Sequence, residues 1–104
     1  MPDLNVDEWS QEQFLSNKTL LESSGVKVLL IDTIALPIDG VEVVTYNPPM
    51  MKNEPKGSVF VFYCDSGKSS KERLGEFRAK FPDFYCISLK GGRSYWNRYF
   101  RALL

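Results

Sequence analysis

The chain contains no histidine. That absence removes every Ser-His and Cys-His dyad, the commonest devices for activating a nucleophile at neutral pH. Cysteine is nearly as scarce, with Cys64 and Cys86 alone and no C-x-x-C pair. A thiolate zinc site therefore has too few ligands, and a thioredoxin-type redox pair has the wrong spacing. Charge of one sign is lacking too: 13 basic and 13 acidic residues give a formal net charge of zero. A nucleic-acid binder with a strong basic surplus is excluded, although the basic residues concentrate in the second half. No apolar run approaches the roughly 18 residues of a membrane-spanning helix. The start, MPDLNVDEWSQEQF, has neither the charged n-region nor the apolar h-region of a signal peptide. The expectation is a cytoplasmic protein, or one domain of a larger cytoplasmic one. It has no nucleic-acid or membrane partner, no metal, no cofactor and two free thiols. Catalysis, if present, then falls to a thiol without a histidine base or to carboxylates.

What is present reads as one α/β domain over residues 1–104, with an ordinary globular balance of 43% hydrophobic and 25% charged residues. Trp9, Phe14, Leu15, Leu20 and Leu21 among polar neighbours predict one helix or two short ones between Asp7 and Leu21, with Ser23-Ser24-Gly25 as its stop. Its acids, Asp7, Glu8, Glu12 and Glu22, are expected on a solvated helix face. Val26–Ile31 and Val41–Tyr46 read as strands, and residues 47–57, with three prolines, as a loop. Ser58–Tyr63 (SVFVFY) is bulky and apolar on both faces, which places it centrally in a sheet covered on both sides. A helix is predicted over Ser69–Phe81, with Ser69 as N-cap, Glu72 completing a capping box and Pro82 as terminator. Phe84–Leu89 is a further buried strand, and Gly91-Gly92 a turn. A last helix starts near Ser94, with Tyr95, Trp96, Tyr99, Phe100 and Leu103 on its apolar face and Arg98 and Arg101 in solvent. Alternating strands and helices imply three layers around a mainly parallel sheet. Ligands of such sheets bind beyond the carboxyl ends of the strands, where Cys64 falls.

Cys64-Asp65-Ser66-Gly67-Lys68-Ser69-Ser70 links the central strand to a helix. Small residues and a glycine let this backbone curl so that successive amides point inward as an anion nest. A sulfur at its mouth is stabilised as a thiolate, the form in which cysteine attacks, without any histidine. Cys86, inside FYCISL, has no such loop and reads as structural. Arg93 reads as a solvated residue after the double glycine.

Strand, C-x-x-G-x-x-S, helix, then a strand entering Leu89-Lys90-Gly91-Gly92 with Trp96 beyond resembles a rhodanese-like domain. Val28-Leu29-Leu30-Ile31-Asp32 is similar to that family's first core strand. The resemblance covers most of the chain and weakens between Thr33 and Lys56. It implies a three-layer rhodanese-like fold, with Cys64 as the nucleophile and Asp65, Ser66, Gly67, Lys68 and Ser69 as the loop that cradles the substrate. The implied reaction is a sulfurtransfer. Cys64 takes a sulfane sulfur from a small-molecule donor such as thiosulfate, or from a protein persulfide, and passes it to a thiol or cyanide acceptor.

The loop also differs from the family pattern. Asp65 and Ser69 stand where arginine, or arginine and threonine, are common, leaving Lys68 as the one cation of the loop. Asp65 opposes an anionic donor, so weak thiosulfate turnover is expected. The stretch after Asp32 lacks the family's arginine, and the interval to Cys64 is short, so a helix is missing there or reduced to a turn. The alternative is therefore a weak or inactive rhodanese-like interaction or regulatory module. A cysteine-loop phosphatase is disfavoured, because the loop has no closing arginine to grip phosphate bidentately.

Overall fold

A computed structural model of the chain describes residues 1–97. They run in the order β1 (Glu8–Trp9), α1 (Gln11–Ser23), β2 (Val28–Asp32), β3 (Val44–Thr45), α2 (Pro48–Met51), β4 (Val59–Tyr63), α3 (Lys68–Glu72), α4 (Leu74–Lys80) and β5 (Tyr85–Leu89). The five strands form one all-parallel sheet in the order β1-β5-β4-β2-β3, which places β4 at the centre. All five residues of β2 and of β4 are buried, as a sheet covered on both faces requires.

Alternation along the strands sorts two apolar layers. Val28, Leu30, Val59, Val61, Tyr63, Ile87 and Leu89 face Phe14 and Leu21 of α1, with Trp9 and half-buried Trp96 beside them. Leu29, Ile31, Phe60, Phe62 and Cys86 face Met51 of α2 and Leu74 and Phe77 of α4. The second layer is aromatic. Phe62 stacks on Phe77 with centroids 4.0 Å apart, and Phe60 stacks on Phe84 at 4.6 Å. Such pairs contribute about 0.5–1.5 kcal/mol each beyond the area they bury. The expected three-layer α/β architecture is present, and no described helix is long and apolar enough to cross a membrane.

Several local expectations are corrected. The region Asp7–Leu21 is not helical throughout. Glu8–Trp9 pair with Ser88–Leu89 as a two-residue strand, and α1 starts only after Ser10. Ser10 Oγ accepts the Gln13 amide while Gln13 Oε1 accepts the Ser10 amide, a reciprocal cap written in the sequence as S-x-x-Q. Asp7 and Glu8 leave the presumed helix face and instead tie strand to helix, through Arg78 (3.0 Å) and Lys71 (3.1 Å). The second strand shrinks to Val44–Thr45, and one helical turn, Pro48–Met51, interrupts the 47–57 loop. Residues 33–43 contain no helix, and the helical turn Pro48–Met51 follows only after β3.

The helix expected over Ser69–Phe81 is two helices meeting at Arg73, just before Gly75 weakens helix propensity. The Ser69–Glu72 capping box is absent. The N-cap is Gly67, with φ +86° and no side-chain cap, because the loop must turn left-handed there to carry its amides toward Cys64. Tyr95 is not apolar-face packing but 77% exposed, whereas Trp96 does meet the core, edge-on to Phe14. Arg93 to Tyr95 form a turn rather than a helix start. The expectations for Arg98, Tyr99, Phe100, Arg101 and Leu103 lie outside the described residues.

Candidate functional site

β4 ends at Tyr63, and the next residue, Cys64, stands at the carboxyl end of the central strand. Its backbone curls through Asp65, Ser66 and Gly67 into α3, and the curl folds back onto the sulfur. Cys64 Sγ accepts the Gly67 amide at 3.2 Å and the Ser70 amide at 3.3 Å, with Ser70 Oγ at 3.5 Å. As a thiol, Cys64 donates its S–H to Ser70 Oγ; once ionised, the sulfur accepts from that hydroxyl as well as from the two amides.

Electrostatics follow from that arrangement. Burial pushes the Cys64 thiol up, since a thiolate loses hydration there. Hydrogen bonds from the Ser70 hydroxyl and from the Ser70, Gly67 and Ser66 amides outweigh it, and the net direction is below the ordinary thiol range. Cys86 lies deeper in the protein and lacks the donors. Burial pushes it up to about 11, with Arg78 offsetting only a part. Both cysteines are free, and the same chemical group is shifted in opposite directions just beyond the end of one strand and inside its neighbour.

The loop is held from the far side by the turn after β5. Arg93 N–H donates to the Cys64 carbonyl and Ser94 N–H to the Asp65 carbonyl, each at 2.8 Å. Ser94 Oγ also donates to the Asp65 carboxylate at 2.8 Å. Gly91 and Gly92 permit this approach. A Cβ on Gly92, at φ +58°, would lie 2.5 Å from the Cys64 carbonyl oxygen and 2.7 Å from the Gly67 nitrogen. Gly67 is constrained likewise, its Cβ position falling 2.7 Å from the Gly91 nitrogen. The two glycine-containing segments, far apart in sequence, are one backbone-to-backbone joint.

Of the residues expected from sequence, Cys64, Ser66 and Gly67 come together as the sulfur and two of its donors. Asp65 turns its exposed carboxylate toward Ser94 rather than over the sulfur. Lys68 and Ser69 are exposed at the start of α3, and neither supplies a donor to the sulfur. Ser70, one position beyond the expected set, supplies two. A second residue escaped sequence reasoning: Ser88, fully buried on β5, whose Oγ lies 2.7 Å from Ser70 Oγ. Its signal was a lone hydroxyl inside an otherwise apolar strand, a group that must find a partner.

Cys64 itself is 4% exposed and lines none of the described cavities, contrary to the expectation of a sulfur open at a mouth. Its loop closes over it. The outer face of that loop, Ser66, Gly67 and Lys68, borders a groove of about 590 Å³ shared with Glu8, Lys71, Lys90 and Tyr95. On the other flank, Tyr63 Oη donates to the Leu36 carbonyl at 2.7 Å, and Arg93 Nε to the Pro37 carbonyl at 3.2 Å. These two bonds pin the long loop after β2.

No protein-family model, no curated protein and no solved structure matches the chain.

Proposed function

We propose that the protein is a sulfurtransferase that carries a sulfane sulfur on Cys64, in the manner its rhodanese-like sequence pattern implies. The observation that carries this reading is the pair of amides, from Gly67 and Ser70, that donate to Cys64 Sγ, with the Ser70 hydroxyl beside it. A histidine-free chain has no imidazole to take the thiol proton, and these donors supply stabilisation of the thiolate without one.

The chemistry balances without a redox partner. The Cys64 thiolate attacks the outer sulfur of a thiosulfate or polysulfide. The donor S–S bond breaks, and its electron pair leaves with sulfite or the shortened polysulfide. The new Cys64 persulfide is attacked at its outer sulfur by a thiolate or cyanide. The electron pair of that S–S bond returns to Cys64 Sγ, regenerating the thiolate. Each product is an anion formed beside the loop, and Lys68, Lys71 and Lys90, set against the Glu8 carboxylate that pairs with Lys71, leave the adjoining groove with a positive balance that favours anions arriving and departing there.

The test is mass spectrometry of the intact chain after incubation with thiosulfate and, separately, with polysulfide. One added sulfur atom on Cys64, absent from Cys64→Ser, is expected. The second reading, a rhodanese-like interaction or regulatory module without turnover, is favoured by one observation, the 4% exposure of Cys64. A folded protein that takes sulfur from neither donor refutes the first reading in favour of the second. Sulfur on Cys86 refutes the assignment of the carrier.

A further inference from the structure

We propose that Ser88 is a positioning residue for Cys64: its hydroxyl donates to Ser70 Oγ and thereby turns the single Ser70 hydroxyl proton onto the cysteine sulfur. The part this plays in sulfur transfer rests on the reading of Cys64 as the carrier; the hydrogen-bond chain itself does not.

The argument is one of proton accounting in a dry place. Cys64, Ser70 and Ser88 are all buried, so none of the three can satisfy itself with bulk water. Ser70 Oγ has one proton and three neighbours: Cys64 Sγ at 3.5 Å, the Gly67 carbonyl at 3.4 Å and Ser88 Oγ at 2.7 Å. The short contact is the hydroxyl pair, and either oxygen can be its donor. If Ser70 donated to Ser88, the sulfur would lose its hydroxyl donor, and the Ser88 proton would need an acceptor that the described residues do not offer. If Ser88 donates to Ser70, the Ser88 proton is used, and in the thiol state the Ser70 proton goes to the Gly67 carbonyl while the Cys64 S–H donates to Ser70 Oγ. With Cys64 ionised, the anionic sulfur is a stronger acceptor than the neutral Gly67 carbonyl and draws the Ser70 proton onto itself, with Ser88 still donating to Ser70.

The same pair distinguishes the two states of the carrier. In the thiolate the charge sits on Sγ, within reach of Ser70. In the persulfide it sits on the outer sulfur, one bond farther away, and Sγ is a weak, neutral acceptor. The Ser88–Ser70 chain therefore favours the thiolate over the persulfide, which makes Cys64 a better leaving group when the acceptor attacks. β5 supplies Ser88 and α3 supplies Ser70, so the chain also ties the sulfur to the sheet rather than to the loop alone.

The experiment follows iodoacetamide labelling of Cys64 against pH, by peptide mass mapping, in the full chain and in Ser88→Ala, Ser70→Ala, the double variant and Ser88→Thr. Losing one hydrogen bond to an anion is expected to raise the labelling midpoint and cut the thiolate fraction roughly tenfold. The rate at neutral pH falls less, roughly threefold, because the more basic thiolate is intrinsically more nucleophilic. If Ser88 acts through Ser70, the double variant matches Ser70→Ala, and Ser88→Thr restores the midpoint. A folded Ser88→Ala with an unmoved midpoint overturns the proposal, as does a double variant whose effects add. Should Ser88→Ala not fold, an unmoved midpoint in Ser70→Ala overturns it equally. Persulfide formation is scored separately on the same samples. Its absence alongside a shifted midpoint would sink the carrier function and leave the role of Ser88 standing.

Discussion

The sharpest consequence of the structure is that its two buried cysteines differ in reactivity in a direction that burial alone does not explain. Cys64 is 4% exposed and Cys86 2%, so access to a small alkylating reagent is comparable. Their ionisation is not. Cys86, pushed up to about 11 by burial, lies four units above neutral pH, so about one part in ten thousand is thiolate. Cys64 is displaced the other way, below the ordinary value of 9.0 from which Cys86 is raised. The two-unit rise of Cys86 alone makes the thiolate fractions differ by at least roughly 100-fold. The Brønsted penalty on the less basic thiolate, over those roughly two units with a slope of ~0.4–0.5, returns up to about one order of magnitude. A net advantage for Cys64 of at least roughly tenfold remains. The assay is iodoacetamide labelling of the native chain at pH 7, with the two cysteine peptides quantified by mass spectrometry and Cys64→Ser and Cys86→Ser as assignment controls. Cys86→Ser is expected to leave Cys64 labelling unchanged and to lose some packing stability. Equal rates, or a Cys64 rate profile centred on the ordinary thiol value, would show that the amides of Ser66, Gly67 and Ser70 do not hold a thiolate.

Other consequences can be checked in the same way. Asp65→Asn keeps an acceptor for Ser94 while removing the charge. If that charge limits thiosulfate use by about 1 kcal/mol, kcat/KM for thiosulfate rises roughly fivefold at low salt, and Asp65→Arg gains further; no gain in either folded variant rules charge out as the limit. Gly92→Ala drives a Cβ against the Cys64 and Asp65 carbonyls at a left-handed φ, and is expected to cost about 1–3 kcal/mol and abolish persulfide formation. Gly75→Ala, in open space, should stabilise by up to about 1 kcal/mol; similar thermal shifts for the two would refute the joint between the loops. Alkaline stability tests Cys86. Its folded pKa of about 11 lies above the unfolded value near ~8.5, so the unfolded state binds fewer protons between those limits and stability falls as pH rises. The full loss is on the order of 3 kcal/mol, and urea midpoints at pH 8 and 10.5 should fall less steeply in Cys86→Ala than in wild type. Cys64 has the opposite sign: its lowered folded pKa stabilises above the unfolded value, and that contribution is lost as pH falls through the folded one.

Much of this was legible in one dimension. SVFVFY is apolar at both parities, and only a strand covered on both faces can bury both, so the central position of β4 followed from composition alone. The step from Tyr63 into a small, glycine-containing loop placed Cys64 at a carboxyl strand end, and the absence of histidine narrowed the chemistry before any coordinates. What could not be read were features whose cause lies across the sheet. Glu8–Trp9 is too short to show a period and becomes a strand only because β5 offers it an edge. Ser69-x-x-Glu72 satisfies the capping pattern, yet Gly67 takes the cap because the loop must close on the sulfur and on the Gly91-Gly92 turn at once. Asp65 looks like an opposing charge in the loop and is in fact bound by Ser94, 29 residues away. Ser70 and Ser88 are 18 positions apart and acquire their meaning from a 2.7 Å contact between a helix and a strand. A local pattern determines which backbone groups must be satisfied. Which distant atom satisfies them is decided by packing, because hydrogen bonds act over ångströms in space and take no account of separation along the chain.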